Sequence, residues 1–420
     1  MPSNKFSFAR AHRNSPIEPS FLTRRVDQYF HERVETTWKG GHIMKGRTPD
    51  DHSLLMVSND YLALSDHPAI NESLVRALKE EGQGPLRSDV FRNGDDELAR
   101  FEQRIAALMD TEDAVTCQSG WNANVGLIQA IADGSTPVYL DMFAHTSLWE
   151  GATSAGATPR PFKHNDPESL AKLIAKYGPG VVGVDAVYST SGTLCPLEDI
   201  VSVAEAGECI LVVDESHSLG MFGEKGEGLT ATMGLSPKVH FRTSSLSKAF
   251  ASRGGVVAGT RRNLEYFRYE SRPAIFSSGI LAHEAAGFSA TLSVIEKEGW
   301  RREQVQSNAD YLRSGLDDLG YNVSASQSQI ISLVAGPEEN TLVLRDALES
   351  RGIFGSVFCA PATPKNRSLV RFSVHASLTR EQLDRTIAVC GHIRAEVGMA
   401  EWASTRKAKG PKRGDLRLSA

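Results

Sequence analysis

The sequence predicts an α/β fold: a mostly parallel central sheet in a large domain, followed by a smaller α+β C-terminal domain. Three observations point there. Between residues 110 and 260 short β-rich runs alternate with helical patterns, as in parallel strands joined by helical crossovers. After residue 290 longer polar helices and isolated strands take over. At 420 residues the chain also exceeds the size at which one hydrophobic core stops growing.

Taken in order, the first 57 residues have mixed polarity and one strand-like run, Leu54-Leu-Met-Val57, and are expected to wrap onto the small lobe or a partner subunit. A helix is expected over 98–108, then strands over 114–118 and 137–141. A helix over 168–177 precedes strands over 180–185, 209–214 and 239–243. The run Cys209-Ile-Leu-Val-Val-Asp214 is apolar up to its last residue, as a strand buried on both faces is. Gly254-Gly-Val-Val-Ala-Gly259, bracketed by glycines, reads as a strand returning antiparallel at the sheet edge. The second lobe holds helices over 300–319, 341–351 and 379–396 and strands over 330–334 and 370–374. The expected division is an N-terminal segment (1–57), a large domain (58–290), a small C-terminal domain (291–400) and a basic disordered tail (401–420).

Composition excludes several classes. No apolar run approaches the ~20 residues of a membrane helix, and the first ten residues lack a signal-peptide core, so a cytoplasmic protein with no membrane span is expected. Five scattered cysteines without Cys-x-x-Cys pairs read as reduced, mostly buried thiols. A net charge of -5 gives no case for nucleic acid as a partner.

Chemistry enters at Lys248, in Arg242-Thr-Ser-Ser-Leu-Ser-Lys-Ala-Phe250, and at Asp214, which ends the apolar run Cys209-Ile-Leu-Val-Val-Asp214. A carboxylate at the end of a doubly buried strand is costly without a cationic partner. A lysine able to form a Schiff base and an aspartate able to hold a pyridine nitrogen protonated are together what pyridoxal phosphate (PLP) needs. Asp214-Glu-Ser-His217 also resembles the magnesium-binding strand end of an ATPase, but no Gly-x-x-x-x-Gly-Lys-Ser/Thr loop accompanies it. A metal pair of Asp214 and His217 fits the spacing alone, without a supporting ligand cluster.

Ser119-Gly-Trp-Asn-Ala-Asn-Val-Gly126 follows a strand and opens a helix, so the amides of Gly120 and Trp121 form an anion site at a helix N-terminus, or else a plain capped turn. His145 and His217 each follow a strand. Arg371 lies inside a strand-like run and needs an acid, either a substrate carboxylate or a structural ion pair.

These pieces, in this order, resemble the α-oxoamine synthase family of fold-type I PLP enzymes, from Ser58-Asn-Asp-Tyr-Leu62, which contains Asn59, to about Arg371. The resemblance implies that Lys248 carries PLP and that Asp214 holds its pyridinium. It implies that His145 stacks on the ring, that His217 bonds the phenolic oxygen, and that Ser189 lines the pocket. Ser119, Gly120, Trp121 and Ser245 would take the phosphate, with Ser277 and Ser278 from a neighbouring subunit of a homodimer with shared active sites. Arg371 and Asn59 fall on the substrate side. A closer resemblance is to the α-hydroxyketone quorum-sensing autoinducer synthases of the CqsA type. It rests on Gln118-Ser-Gly-Trp-Asn-Ala-Asn-Val-Gly126, Phe143-Ala-His-Thr-Ser-Leu-Trp-Glu-Gly151, Ala274-Ile-Phe-Ser-Ser278 and Gly355-Ser-Val-Phe-Cys-Ala-Pro-Ala-Thr-Pro-Lys365.

That resemblance implies a fatty acyl-CoA condensed with 2-aminobutyrate or S-adenosylmethionine. The wider family implies 8-amino-7-oxononanoate synthase or 2-amino-3-ketobutyrate CoA ligase chemistry as the alternative. Gly82-Gln-Gly-Pro-Leu-Arg-Ser88 replaces the family's usual glycine-rich tract, which leaves the amino donor open.

Overall fold

The computed structural model describes residues 17–405. Its strands are β1 (Leu54–Met56), β2 (Asp113–Cys117), β3 (Val138–Asp141), β4 (Pro159–Phe162), β5 (Val181–Asp185), β6 (Ile210–Asp214), β7 (Phe241–Ser245), β8 (Gly255–Gly259), β9 (Ile330–Gly336), β10 (Ile353–Phe358) and β11 (Ser368–Ser373).

Seven of them form the large sheet, in the order β2-β8-β7-β6-β5-β3-β4. All run the same way except β8, which is antiparallel to both its neighbours. Their apolar runs are buried on both faces because alternate side chains enter two separate cores. Val182, Val184, Leu211 and Val213 meet Leu170, Ile200 and Ala204 on one face. Val181 and Val212 meet Leu127, Ile128 and Leu148 on the other. Each Val, Leu or Ile among them contributes about 1.5–3 kcal/mol by burial.

The crossover after β3 runs outward to β4 and the one after β5 runs inward to β6, so the strand order reverses between β3 and β5. A sheet of this kind opens a crevice at that point, beyond the carboxyl ends of its strands. Asp141, Asp185, Asp214 and Ser245 stand at those ends, with Asp185 in register with Asp214 and Asp214 with Thr243.

The smaller sheet has the order β1-β10-β11-β9. Strand β1 pairs in parallel with β10, so the N-terminal segment is built into the small lobe. Helices Trp300–Asp318, Glu338–Glu349 and Arg380–Ile393 complete that lobe, Thr379 capping the last of them with Gln382 in a reciprocal pair.

Several features differ from expectation. Strand β8 lies between β2 and β7 rather than at the edge. Strand β4 escapes notice because Pro159 and Pro161 argue against a strand; it is tolerated as an edge strand needing donors on one side only. Helix Ala282–Lys297 packs into the large domain's core through Ala285, Phe288, Leu292 and Ile295, so position 290 is no boundary. The passage between cores occurs within helix Trp300–Asp318, where Val305 belongs to the large core and Ala309 and Leu312 to the small one. Finally, Trp402 is 2% exposed and packs into the small lobe's core, so the ordered chain passes the expected tail boundary at 400. The basic stretch from Arg406 and the first 16 residues lie outside the described residues.

Candidate active site

The crevice is closed on its far side by the small lobe. Ser332 Oγ donates to Thr190 O at 2.6 Å and Gln329 Nε2 to His217 O at 2.9 Å. Arg371 Nη1 donates to Ser189 O at 2.8 Å. These bonds bring β9 and β11 against residues that follow β5 and β6, and they gather Lys248, Asp214, His145, His217 and Arg371 around one space.

Asp214 is 4% exposed, and its two oxygens accept from neutral donors only: Asn124 Nδ2 at 2.6 Å and Ser216 N at 2.8 Å. The adjacent ion pair belongs instead to Glu215 and Arg242, 3.0 Å apart and both fully buried. That pair explains the acidic doublet without a metal, since Glu215 also accepts from the amides of Leu229 and Thr230. Among the described residues no group of three or more His, Cys, Asp or Glu could hold a metal ion.

Lys248 sits half-buried in the turn after β7, fixed where Ala251 N donates to Lys248 O at 2.9 Å. Ala251 is left at φ +46°, a strained conformation for a non-glycine residue. Burial and then the Arg371 charge hold the Lys248 ammonium below its usual range, against the opposing pull of Asp214.

His145 caps helix Thr146–Ser154; its Nδ1 lies 2.7 Å from Ser147 Oγ, and its backbone N–H donates to Asp185 Oδ1 at 3.1 Å. Its ring opens on the crevice, yet desolvation by the surrounding protein lowers its pKa, with Asp214 opposing and Lys248 adding to the shift. Burial, then the charge of Asp214, pushes the Asp185 carboxyl well above the usual carboxylate range. His217 is buried, with Tyr61 Oη 2.7 Å from its Nδ1. Burial and then the charges of Lys248 and Arg371 depress its pKa well below 6.5.

Arg371 is 4% exposed and has no carboxylate partner among the described residues. Its Nη2 donates to Asn59 Oδ1 at 2.9 Å, its guanidinium lies 4.7 Å from the Phe358 ring centroid, and its Nε is without a partner. A buried guanidinium held only by neutral acceptors is a receptor for an anion.

On the opposite side Ser119 caps helix Gly120–Ile131. The Ser119–Gly120 turn lies so close to β7 and β8 that a Cβ on Gly120 would meet Ser245 Cβ at 2.6 Å, and one on Gly255 would meet Ser119 O at 2.3 Å. Glycine is therefore required at both positions. Ser245 N donates to Ser216 Oγ, and Ser245 Oγ lies 2.8 Å from Ser247 Oγ. Trp121, 44% exposed, meets the His145 ring edge-on at 6.3 Å. Ser277 Oγ donates to Pro273 O of its own chain, and Ser278 O accepts from Gln118 Nε2 at 2.6 Å. That segment therefore lies beside this turn.

The set fits PLP. The buried Asp214 without a cation suits a pyridinium N–H, the half-buried lysine a carbonyl, and the glycine-bounded helix N-terminus a phosphate. Tyr61, Asn124 and Ser216, which hold His217 and Asp214, are part of the site that sequence reasoning missed. Tyr61, whose hydroxyl burial pushes to about 12, stands in the resembling Ser58-Asn-Asp-Tyr-Leu62 stretch, the one available signal.

A cavity of about 390 Å³ adjoins the site between the lobes, lined by Ala144 and Thr146 on either side of His145 and by Pro361 to Pro364 of the small lobe. No helix among the described residues is long and apolar enough to cross a membrane.

The aminotransferase class I and II family model matches residues 52–389. The chain is 41% identical over 372 residues to the CAI-1 autoinducer synthase of Vibrio campbellii, covering 89% of this chain and 94% of that protein. It is 31% identical over 379 residues to the serine palmitoyltransferase of Bacteriovorax stolpii, covering 89% of each. With the 8-amino-7-oxononanoate synthase of Symbiobacterium thermophilum it shares 30% identity, over 81% of this chain and 88% of that one. A solved structure of serine palmitoyltransferase with PLP superposes with a TM-score of 0.83 at 25% identity, covering 90% of this chain and 99% of that one. The chain belongs to the aminotransferase class I and II family, as a PLP-dependent acyltransferase of the α-oxoamine synthase type.

Proposed function

We infer that this enzyme condenses an amino acid with a medium- or long-chain fatty acyl-CoA, releasing CoA and carbon dioxide, to make the α-aminoketone precursor of an α-hydroxyketone autoinducer. The observation that carries this reading is Arg371, buried beside Lys248 and His217 with only neutral partners of its own. It suits the carboxylate of an amino-acid substrate, through charged hydrogen bonds worth about 1.5–3 kcal/mol. The 41% identity to a CAI-1 autoinducer synthase supports the autoinducer reading, with 2-aminobutyrate or S-adenosylmethionine as donor.

When bound, PLP supplies a conjugated pyridinium that stores the electron pair left at the α-carbon. Asp214 would hold the proton on its ring nitrogen, His145 would lie against the ring and His217 would meet the phenolic oxygen. Ser119, Gly120, Trp121 and Ser245 would take the phosphate, and Ser189 supports Arg371 through its carbonyl. Arg371 and Asn59 orient the amino acid so that its α-hydrogen faces Lys248. Lys248, whose lowered pKa favours the free amine, removes that proton. A C–C bond then forms at the thioester carbonyl, the C–S bond breaks, the CoA thiolate leaves, and the resulting β-keto acid loses its carboxylate as carbon dioxide.

A cytoplasmic homodimer with shared sites is the assembly proposed, with Ser277 and Ser278 reaching the partner's phosphate. The exposed side chains of Leu86, Phe91 and Phe276 near that segment favour a covered surface.

Holoenzyme supplied with candidate amino acids and decanoyl-CoA tests the reading through release of CoA thiol and carbon dioxide. Turnover with 2-aminobutyrate or S-adenosylmethionine is expected. A strong preference for alanine with pimeloyl-CoA would instead place the enzyme with the 8-amino-7-oxononanoate synthases.

A further inference from the structure

Outside the groups assigned so far, a partly buried chain of hydrogen bonds leads from the end of β3 to the interlobe cavity. Asp141, fully buried at the end of β3, has Oδ1 3.0 Å from His164 Nδ1 and also accepts from the amides of Phe143 and Asn165. His164 Nε2 lies 3.0 Å from Thr193 Oγ1, and Thr193 Oγ1 lies 2.7 Å from Ser191 Oγ. The His164 ring is clamped, stacked on Phe143 at 4.4 Å and met edge-on by Tyr188 at 4.4 Å. Ser191 and Phe143 both line the cavity.

The polarity of the chain follows from its buried end. In the tautomer that places the ring hydrogen on His164 Nδ1, toward Asp141, Nε2 accepts from the Thr193 hydroxyl. Thr193 then accepts from Ser191. With its hydrogen directed inward and one lone pair facing the Thr193 amide at 3.4 Å, Ser191 offers its other lone pair to the cavity and selects a ligand group that donates.

Position narrows the ligand. Ser191 is two residues from Ser189, whose carbonyl holds Arg371, and Ala144 and Thr146, on either side of His145, line the same cavity. The lining mixes apolar Met142, Trp149 and Leu369 with hydroxyls, and exposed Arg367 stands at the small-lobe side. At about 390 Å³ the space is near the lower end of ligand pockets, which suits an extended arm rather than a whole acyl-CoA.

We propose that Ser191, aimed through Thr193, His164 and Asp141, accepts a hydrogen bond from an amide N–H of the pantetheine arm of the acyl-CoA in this cavity, and so positions the thioester. The inference rests on the acyl-CoA reading and adds the place where the thioester's carrier is held.

The test uses purified holoenzyme and the Ser191→Ala variant. One neutral hydrogen bond corresponds to a change of roughly 3- to 10-fold. KM for decanoyl-CoA should rise by about that factor, with kcat and the KM for the amino donor little changed. Pantetheine should bind the variant more weakly by calorimetry by the same factor, while 3′,5′-ADP, which lacks the arm, binds both proteins equally. Thr193→Val leaves the serine but removes its orienting partner, and should give a smaller rise in the same KM that Thr193→Ser restores. Unchanged pantetheine affinity in Ser191→Ala, or a loss confined to stability, overturns the inference. Wild-type holoenzyme that binds pantetheine yet turns over no acyl-CoA with any amino acid would overturn the acyl-CoA reading instead.

Discussion

The side-chain amide of Asn124 donates to Asp214 Oδ2 at 2.6 Å and to Ser147 Oγ at 2.8 Å, while its oxygen accepts from Thr243 Oγ1 at 2.6 Å. One residue on the helix that opens at Gly120 thus ties the carboxylate at the end of β6 to its neighbours. Asn124→Ala leaves a buried carboxylate short of a donor, at a cost of about 1–3 kcal/mol. Denaturant unfolding of the variant should show that loss, together with weaker retention of PLP. Wild-type stability and PLP affinity would count against this role.

Arg371→Leu should raise KM for the amino acid by roughly 10- to 100-fold, the loss of a charged contact worth about 1.5–3 kcal/mol. KM for the acyl-CoA should stay within about twofold, because the proposed thioester contact is at Ser191 rather than at the guanidinium. Steady-state kinetics with each substrate varied separately separates the two constants.

Acid stability follows from the buried histidine. The folded-state pKa of His217 is depressed well below 6.5 by burial and nearby cations, so below pH 6.5 the unfolded chain binds a proton that the folded one refuses. Its contribution is present above pH 6.5 and is lost as pH falls, at up to about 1.4 kcal/mol per pH unit. Unfolding free energies measured from pH 7 to pH 5 should fall less steeply in His217→Asn than in the natural protein.

Lys248 is shifted in the same direction, and the consequence is for cofactor loading. Its pKa is lowered by burial and then by Arg371, so the free amine needed to bond PLP is present at lower pH than in an ordinary lysine. The rate of PLP loading by the apoenzyme should rise with pH through an inflection below 10.5. In Arg371→Leu that inflection should move upward, as stopped-flow absorbance can record.

Much of the large domain was legible in sequence because its strands are doubly buried. The runs ending at Asp141, Asp185 and Asp214 are apolar throughout, and the lysine and aspartate lie in local motifs. What escaped depends on other signals. Strand β4 is masked by Pro159 and Pro161, and β10 contains Gly355 and half-buried positions rather than a continuous apolar run. Helix Ala282–Lys297 carries apolar and small residues around much of its circumference, so it lacks the stripe that marks a surface helix. Tyr61 and Asn124 were missed as parts of the site because their partners His217 and Asp214 lie 156 and 90 residues away, and only the folded sheet brings them together.

The central claim is that Lys248 carries the cofactor against Asp214. Reducing the holoenzyme with borohydride and mapping the phosphopyridoxyl group by peptide mass spectrometry tests it most directly. The account predicts one modification, on Lys248, lost in Lys248→Ala together with turnover and strongly diminished in Asp214→Ala. Label on a different lysine, or full activity in Lys248→Ala, would contradict it.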